Sequence, residues 1–294
     1  MLILFLKKIN MKYEAPNNQK FLVYNPTDST LIEKLYYSVS CFILAVANGW
    51  EFRINDTEGV KIVDYLTSNY SWWKQDWMES KSFGRMFIKD LNSDNVKFIT
   101  NYTLSDLYPK AETVMIYSNS NILKYVLSNK TYSKNINQNI DVKNLFYDVF
   151  DYLFEFEHEY YSNFEYLFDK INEVPHLGIH IKEMDTRIIY KFIKENIEKG
   201  QRVFITGDYN LIQKLKKSYN KSYLKTISKP NLDYDKRNLT HEETLIILYE
   251  IFLLKYSDSK MFEPTGKLYE LFKNLHTTEK EIEITEDNKL IEIY

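Results

Sequence analysis

Strand and helix periods alternate without interruption between residues 177 and 227, and this ordering leaves few folds open. Leu177 to Lys182 reads as a strand and Arg187 to Glu198 as a helix that Gly200 stops. Arg202 to Thr206 is a second strand, Tyr209 to Tyr219 a second helix, and Tyr223 to Ile227 a third strand. Strands separated by helices cannot pair as hairpins, so the order predicts a doubly wound parallel sheet with right-handed crossovers. Ligands of such sheets bind beyond the carboxyl ends of the strands. A long apolar helix, Glu242 to Tyr256, follows, with capping-box spacing at Thr240 and Glu243, and a short helix runs from about Gly266 to Leu275.

The first half opens in the same way. Phe21 to Asn25 reads as a strand, Leu31 to Ala47 as a helix and Trp50 to Ile54 as a strand. Thr30 and Glu33 have capping-box spacing, and Asn48-Gly49 supplies the stop. Further strands are expected at Val96 to Thr100 and Thr113 to Tyr117, and one helical stretch from about Val142 to Ile171. The reading gives an α/β chain of two Rossmann-like domains with parallel sheets, residues 1–173 and 174–294, joined near 170–176.

Composition removes several classes of function. A net charge of −3 without a basic stripe argues against general nucleic-acid binding, so phosphate recognition should be local. A lone cysteine, Cys41, makes neither an intrachain disulfide nor a zinc cluster and suggests a reducing, cytoplasmic setting. The N-terminal apolar run in MLILFLKK is too short to span a bilayer, so no transmembrane segment is expected. The acidic run Glu279 to Asp287 reads as a solvated tail or edge strand.

The segment with most chemistry is His176-Leu177-Gly178-Ile179-His180-Ile181-Lys182-Glu183-Met184-Asp185. Alternate residues of a strand share a face, so Ile179 and Ile181 can meet a core while His180 and Lys182 share the other face. Two potential cations at a strand's carboxyl end suit a diphosphate, with lysine acting as a compact point charge. The same spacing also suits ordinary strand residues, with Asp185 as the N-cap of the next helix. No histidine pair has metal-ligand spacing, and His158, His241 and His276 stand apart. Glu155-Phe156-Glu157 and Glu281-Ile282-Glu283 alternate acids with apolar residues and read as surface faces rather than metal-holding loops, which favours a metal-free mechanism. Trp72, Trp73 and Trp77 suit either a core or a sugar-stacking platform.

Gly178 to Asp185 resembles the G-[VI]-H-[VI]-R-x-x-D segment of the superfamily of α1,2-, α1,6- and protein O-fucosyltransferases. Gln201-Arg202-Val203-Phe204-Ile205-Thr206-Gly207-Asp208 is similar to that family's strand ending in a Thr-Asp turn, and YEIFLLKYSD, from Tyr249 to Asp258, to its "DLLLLSKCD" helix. The resemblance covers roughly residues 174–276, with a weaker match over 20–55. It departs where the family arginine is Lys182, where Glu183 follows, and where the glycines of the first loop are missing and Lys34 stands near a family arginine. The family's Ser-Ser turn is Pro264-Thr265-Gly266 here.

The resemblance implies a GT-B glycosyltransferase that moves fucose, or another hexose or deoxyhexose, from a GDP-sugar to a glycan hydroxyl. Inversion of configuration and independence of metal and cofactor are implied with it. Residues 174–294 would bind the donor nucleotide and residues 1–173 the acceptor. His180 would lie against the ribose or phosphate, Lys182 would neutralise the leaving diphosphate, and Asp185 would hold the loop. Thr206 and Asp208 would line the base and ribose pocket, Thr265 and Gly266 would offer backbone N–H groups to phosphate, and Arg187 is placed to replace the missing arginine. Asp28, Asp76 and Glu33 lie in the half expected to bind acceptor, and Asp28, nearest the expected cleft, is the candidate general base. The alternative is a catalytically inactive descendant that binds or scaffolds glycans.

Overall fold

The computed structural model describes residues 20–68, 83–88, 94–118, 120–139, 145–172, 176–197, 201–218, 224–257, 259–262, 267–275, 281–284 and 290–293. The chain divides into two compact units, Met1–Glu157 and His158–Tyr294.

In the first unit, β1 (Phe21–Pro26) leads into α1 (Leu31–Asn48), and β2 (Glu51–Ile54) returns beside β1. β3 (Leu66–Thr67), β4 (Phe83–Ile88), α2 (Asp94–Asn101), α3 (Leu104–Leu107) and β5 (Thr113–Ser118) follow. The unit ends with α4 (Leu123–Ser128), α5 (Lys130–Asn139), α6 (Leu145–Leu153) and β6 (Glu155–Phe156). Its four-stranded sheet has the order β2-β1-β5-β4, and every pair is parallel. The capping box at Thr30 and Glu33 is formed, and Gly49 closes α1 in the left-handed region at φ 65°. By length and composition α1 would suffice to cross a membrane, but nearly all of it is buried inside this unit. It is buried on nearly every side, as a central core helix is.

Two sequence expectations fail here. Residues 96–100 are helical, not a strand: Val96 and Ile99 are buried one helical turn apart, and Asp94 lies in the first turn. The single helix expected over 142–171 is two helices, interrupted where Glu155–Phe156 pairs antiparallel with Leu66–Thr67. The Trp72, Trp73 and Trp77 platform and Asp76 lie outside the described residues.

The second unit begins with α7 (His158–Asn172), earlier in the chain than the expected junction at 170–176. β7 (His176–Ile181), α8 (Thr186–Asn196), β8 (Arg202–Gly207), α9 (Tyr209–Ser218) and β9 (Leu224–Lys225) follow. The chain then runs through α10 (His241–Lys255), β10 (Ser259–Phe262), α11 (Lys267–Asn274), β11 (Glu281–Ile284) and β12 (Leu290–Ile293). The sheet order is β12-β11-β10-β7-β8-β9, parallel throughout except for the β11–β12 pair. Numbered within this unit, that is the 3-2-1-4-5-6 order of doubly wound folds, with its reversal between β7 and β10. The acidic segment at 281–284 is therefore neither a tail nor the edge, since β12 covers it on the outer side.

The two faces of β7 have different neighbours. Leu177, Ile179 and Ile181 join Ile189, Phe192, Ile193, Ile212 and Leu215 in the core beneath α8 and α9. The opposite face, His176, Gly178 and His180, looks toward α10. Gly178 lets α10 approach: a Cβ there would stand 2.4 Å from the Ser257 hydroxyl and 2.8 Å from its Cβ.

Candidate functional site

The order reversal between β7 and β10 leaves a gap beyond the carboxyl ends of those strands, where doubly wound sheets take ligands. His180 is paired in register with Phe262 of β10 on one side and with Thr206 of β8 on the other. Thr265 and Gly266, which follow β10, lie outside the described residues.

His180 is buried, and its Nδ1 lies 2.9 Å from the Thr206 Oγ1. Its ring meets Tyr234 edge-on, with centroids 5.0 Å apart. Burial first, and the Lys182 ammonium second, lower its pKa from 6.5 to about 3. The imidazole is therefore neutral at pH 7. The sequence argument counts two potential cations at this strand end; the structure leaves one, Lys182. Thr206 is itself wholly buried and serves as the partner of His180.

Lys182 follows β7 and is half exposed, its Nζ 3.1 Å from the Asp235 Oδ2. That hydrogen bond and the Asp235 charge raise its pKa, so the ammonium persists. Asp185 caps α8 by accepting the Arg187 backbone N–H at 2.8 Å. The Arg187 guanidinium turns back onto the same carboxylate, with Nη2 2.6 Å from Oδ2, and its side chain is 87% exposed. The hydrogen bonds from Arg187 hold the Asp185 carboxyl below its ordinary pKa.

Gly207 turns the end of β8 at φ 112°, where a Cβ would collide with the Ile181 carbonyl oxygen at 1.8 Å. Only glycine fits that close approach. The turn directs the Asp208 N–H onto Ile181 O at 2.8 Å, and the Asp208 carboxylate accepts the Leu211 N–H at 2.8 Å. Asp208 thus starts α9 as a capping residue.

A buried network behind this site was not visible in the sequence reading. The Gly207 N–H donates to the Tyr234 hydroxyl at 3.1 Å, and the Tyr234 hydroxyl donates to one oxygen of Glu250. The Ser228 hydroxyl donates to the other Glu250 oxygen. Glu250 is fully buried, and burial raises its pKa to about 7 against these two hydrogen bonds. One signal did point to it: Glu250 is the single acid between Thr244 and Lys255 in an otherwise apolar helix, and fully buried acids are rare without partners.

In the first unit, Asp28 lies just beyond β1, exposed and in the left-handed region at φ 51°. β1 is flanked by β2 and β5, so this loop stands at the order reversal of the first sheet. Lys34 is not a phosphate ligand in waiting. It is buried, and its ammonium reaches the Asp56 carboxylate at 2.6 Å and the carbonyls of Glu58 and Val60. Those three acceptors match the three donors of an ammonium. Among the described residues, no three His, Cys, Asp or Glu side chains gather as ligands for a metal ion.

No family model matches the sequence, and no curated protein matches it significantly. Solved structures do. Arabidopsis thaliana FUT1, an arginine-to-lysine variant in complex with GDP, matches with a TM-score of 0.69 at 12% identity, over 98% of this chain and 76% of its own. The α-1,6-fucosyltransferase NodZ, soaked with GDP-fucose, matches with a TM-score of 0.59 at 11% identity, over 93% of this chain and 99% of its own. NodZ from Bradyrhizobium in a further structure gives a TM-score of 0.56 at 11% identity. At such identities the likeness is one of fold: this chain has the GT-B fold of the fucosyltransferases, on a sequence far diverged from theirs.

Proposed function

We propose that the protein is a glycosyltransferase that takes a sugar from a GDP-sugar and places it on a glycan hydroxyl. The observation that carries the reading is Lys182, a cation at the carboxyl end of β7, beside the order reversal of a doubly wound sheet. The fold neighbours support it, since one was solved with GDP and another with GDP-fucose.

On this reading, the second unit binds the donor and the first unit the acceptor. The acceptor oxygen attacks the anomeric carbon while the bond from that carbon to the β-phosphate oxygen breaks. The electron pair leaves with the diphosphate, whose growing charge Lys182 stabilises electrostatically. Asp28 is the proposed base for the acceptor proton. His180, neutral and hydrogen-bonded to Thr206, positions the donor rather than neutralising it. Asp208, Asp185, Thr265 and Gly266 are proposed to shape the nucleotide pocket through their loops and backbone N–H groups. Arg187 is clamped to Asp185, so a phosphate would share its guanidinium with that carboxylate. Inversion without a metal is proposed with the mechanism, and a cytoplasmic setting on the single buried thiol of Cys41.

Calorimetry with GDP, UDP and ADP tests the donor assignment. GDP should bind more tightly than the other two, and Lys182→Ala should weaken it about ten-fold or more, as loss of a charge-assisted contact does. Equal, weak binding of all three nucleotides would end the proposal. A second reading, a non-catalytic glycan-binding descendant, is favoured by one observation: the ammonium of Lys182 already has a carboxylate partner. GDP binding with no turnover of GDP-fucose or GDP-mannose on any glycan would select it.

A further inference from the structure

The connection from β9 to α10, residues 226–240, touches both residues that mark the end of β7. Tyr234 lies edge-on against His180, and Asp235 holds the Lys182 ammonium. The connection is fastened at several points. Ser228 and Tyr234 both donate to Glu250, and Tyr234 also accepts from the Gly207 N–H. Lys229 pairs with Glu242, and Lys236 with Glu243 at 3.1 Å. The Asp235 N–H donates to the Asp233 carboxylate at 2.9 Å, which fixes the turn that presents Asp235.

We infer that residues 226–240 form a strap, fastened at Glu250, that carries a built-in counter-anion: Asp235 occupies the Lys182 ammonium in place of a ligand's phosphate. The inference rests on the proposed nucleotide-sugar reading for its biological ligand, but not for its physics. Both partners of the pair are close to half exposed, with side-chain exposures of 49% and 43%. Exposed pairs of this kind are weak, so a diphosphate of higher charge can displace the carboxylate. The fastening lies elsewhere, in the buried contacts of Tyr234 and Ser228 to Glu250. Displacing Asp235 therefore need not undo the strap. Asp235 becomes a residue that sets affinity: it lowers the binding of every anion at Lys182 by the strength of the contact that must be broken, and it repels what remains.

The test uses inorganic pyrophosphate as the probe and the full chain. Asp235→Asn should tighten pyrophosphate binding about two- to five-fold at low salt, the size expected of an exposed ion pair, with a smaller gain at 0.5 M salt. In a Lys182→Ala background the same change should give a clearly smaller gain, because the competition for that ammonium is gone and only the repulsion by Asp235 is relieved. The thermal midpoint of Asp235→Asn should stay close to that of the parent, since the buried fastening is untouched. Unchanged or weaker pyrophosphate binding in Asp235→Asn, or an equal gain with and without Lys182, overturns the inference. A parallel titration with GDP separates the two readings. GDP binding no tighter than pyrophosphate sinks the nucleotide assignment while the counter-anion stands.

Discussion

His180 and Glu250 lie on one buried network, joined through Tyr234, and their burial pulls stability in opposite directions with pH. The His180 pKa falls from 6.5 to about 3, so below pH 6.5 the unfolded chain takes up a proton that the native chain refuses. That contribution to stability is present above pH 6.5 and is lost as the pH falls toward 3. The Glu250 pKa rises from 4.5 to about 7, so between those values the native chain holds a proton that the unfolded chain has released. That contribution is present below pH 4.5 and is lost as the pH rises to 7. From pH 4.5 to 6.5 the two slopes oppose each other. Glu250→Gln, which removes one titration, should therefore make stability fall with acidification by about 1.4 kcal/mol per pH unit more than in the parent over that window. It should also be the more stable of the two above pH 7. Urea unfolding of both proteins at pH 5, 6 and 7.5 reads the difference, and parallel profiles would contradict it. Beyond the lone acid of an apolar helix, none of this was legible in the sequence. Ser228 and Tyr234 stand 22 and 16 positions before Glu250, and only the folded connection brings them to it.

Among the elements, β7 shows what a local pattern can and cannot reveal. The alternation of Ile179 and Ile181 with His180 placed the apolar pair on the core side, and both are fully buried there. The capping boxes at Thr30 and Thr240 were equally readable, since both partners lie within one turn. What alternation could not show is that the other face of β7 is also covered, at Gly178 by the end of α10 and at His180 by Thr206 and Tyr234, which turns a presumed cationic histidine into a neutral one. The misreading of residues 96–100 has a similar cause. Val96, Phe98 and Thr100 alternate as in a strand, yet Val96 and Ile99 fit a helix as well, and Phe98 is left 42% exposed. The closeness of β7 and α10 is itself open to test. Gly178→Ala places a methyl against Ser257 and should cost about 1–3 kcal/mol in chemical denaturation, as overpacking does. Ser257→Gly, which removes both clashing atoms, should recover most of that loss. A neutral Gly178→Ala would mean that the helix stands farther off.

For the molecule as a whole, the alternating strands and helices of residues 177–227 identified the doubly wound sheet, and the resemblance around Gly178 to Asp185 identified the fold. The 3-2-1-4-5-6 order could not be read, because β10, β11 and β12 are short and their pairing is decided by contacts across the sheet. The boundary between units was also hidden. An aromatic, acidic helix at 158–172 looks like the end of the first half, yet its ring of Phe164 packs on Tyr249 and Phe252 of α10, Phe168 meets Tyr256, and the Tyr249 hydroxyl donates to Tyr160 O at 3.1 Å. These rings supply much of the cover for one flank of α10. Anyone dissecting the gene will meet this packing directly. A recombinant fragment cut to start at residue 174 should strip that flank bare and come out as aggregate on size-exclusion chromatography, whereas one cut at 158 should run as a discrete species. The safe place for the scissors is ahead of the aromatic helix, where the sequence gives no warning that a border has been crossed.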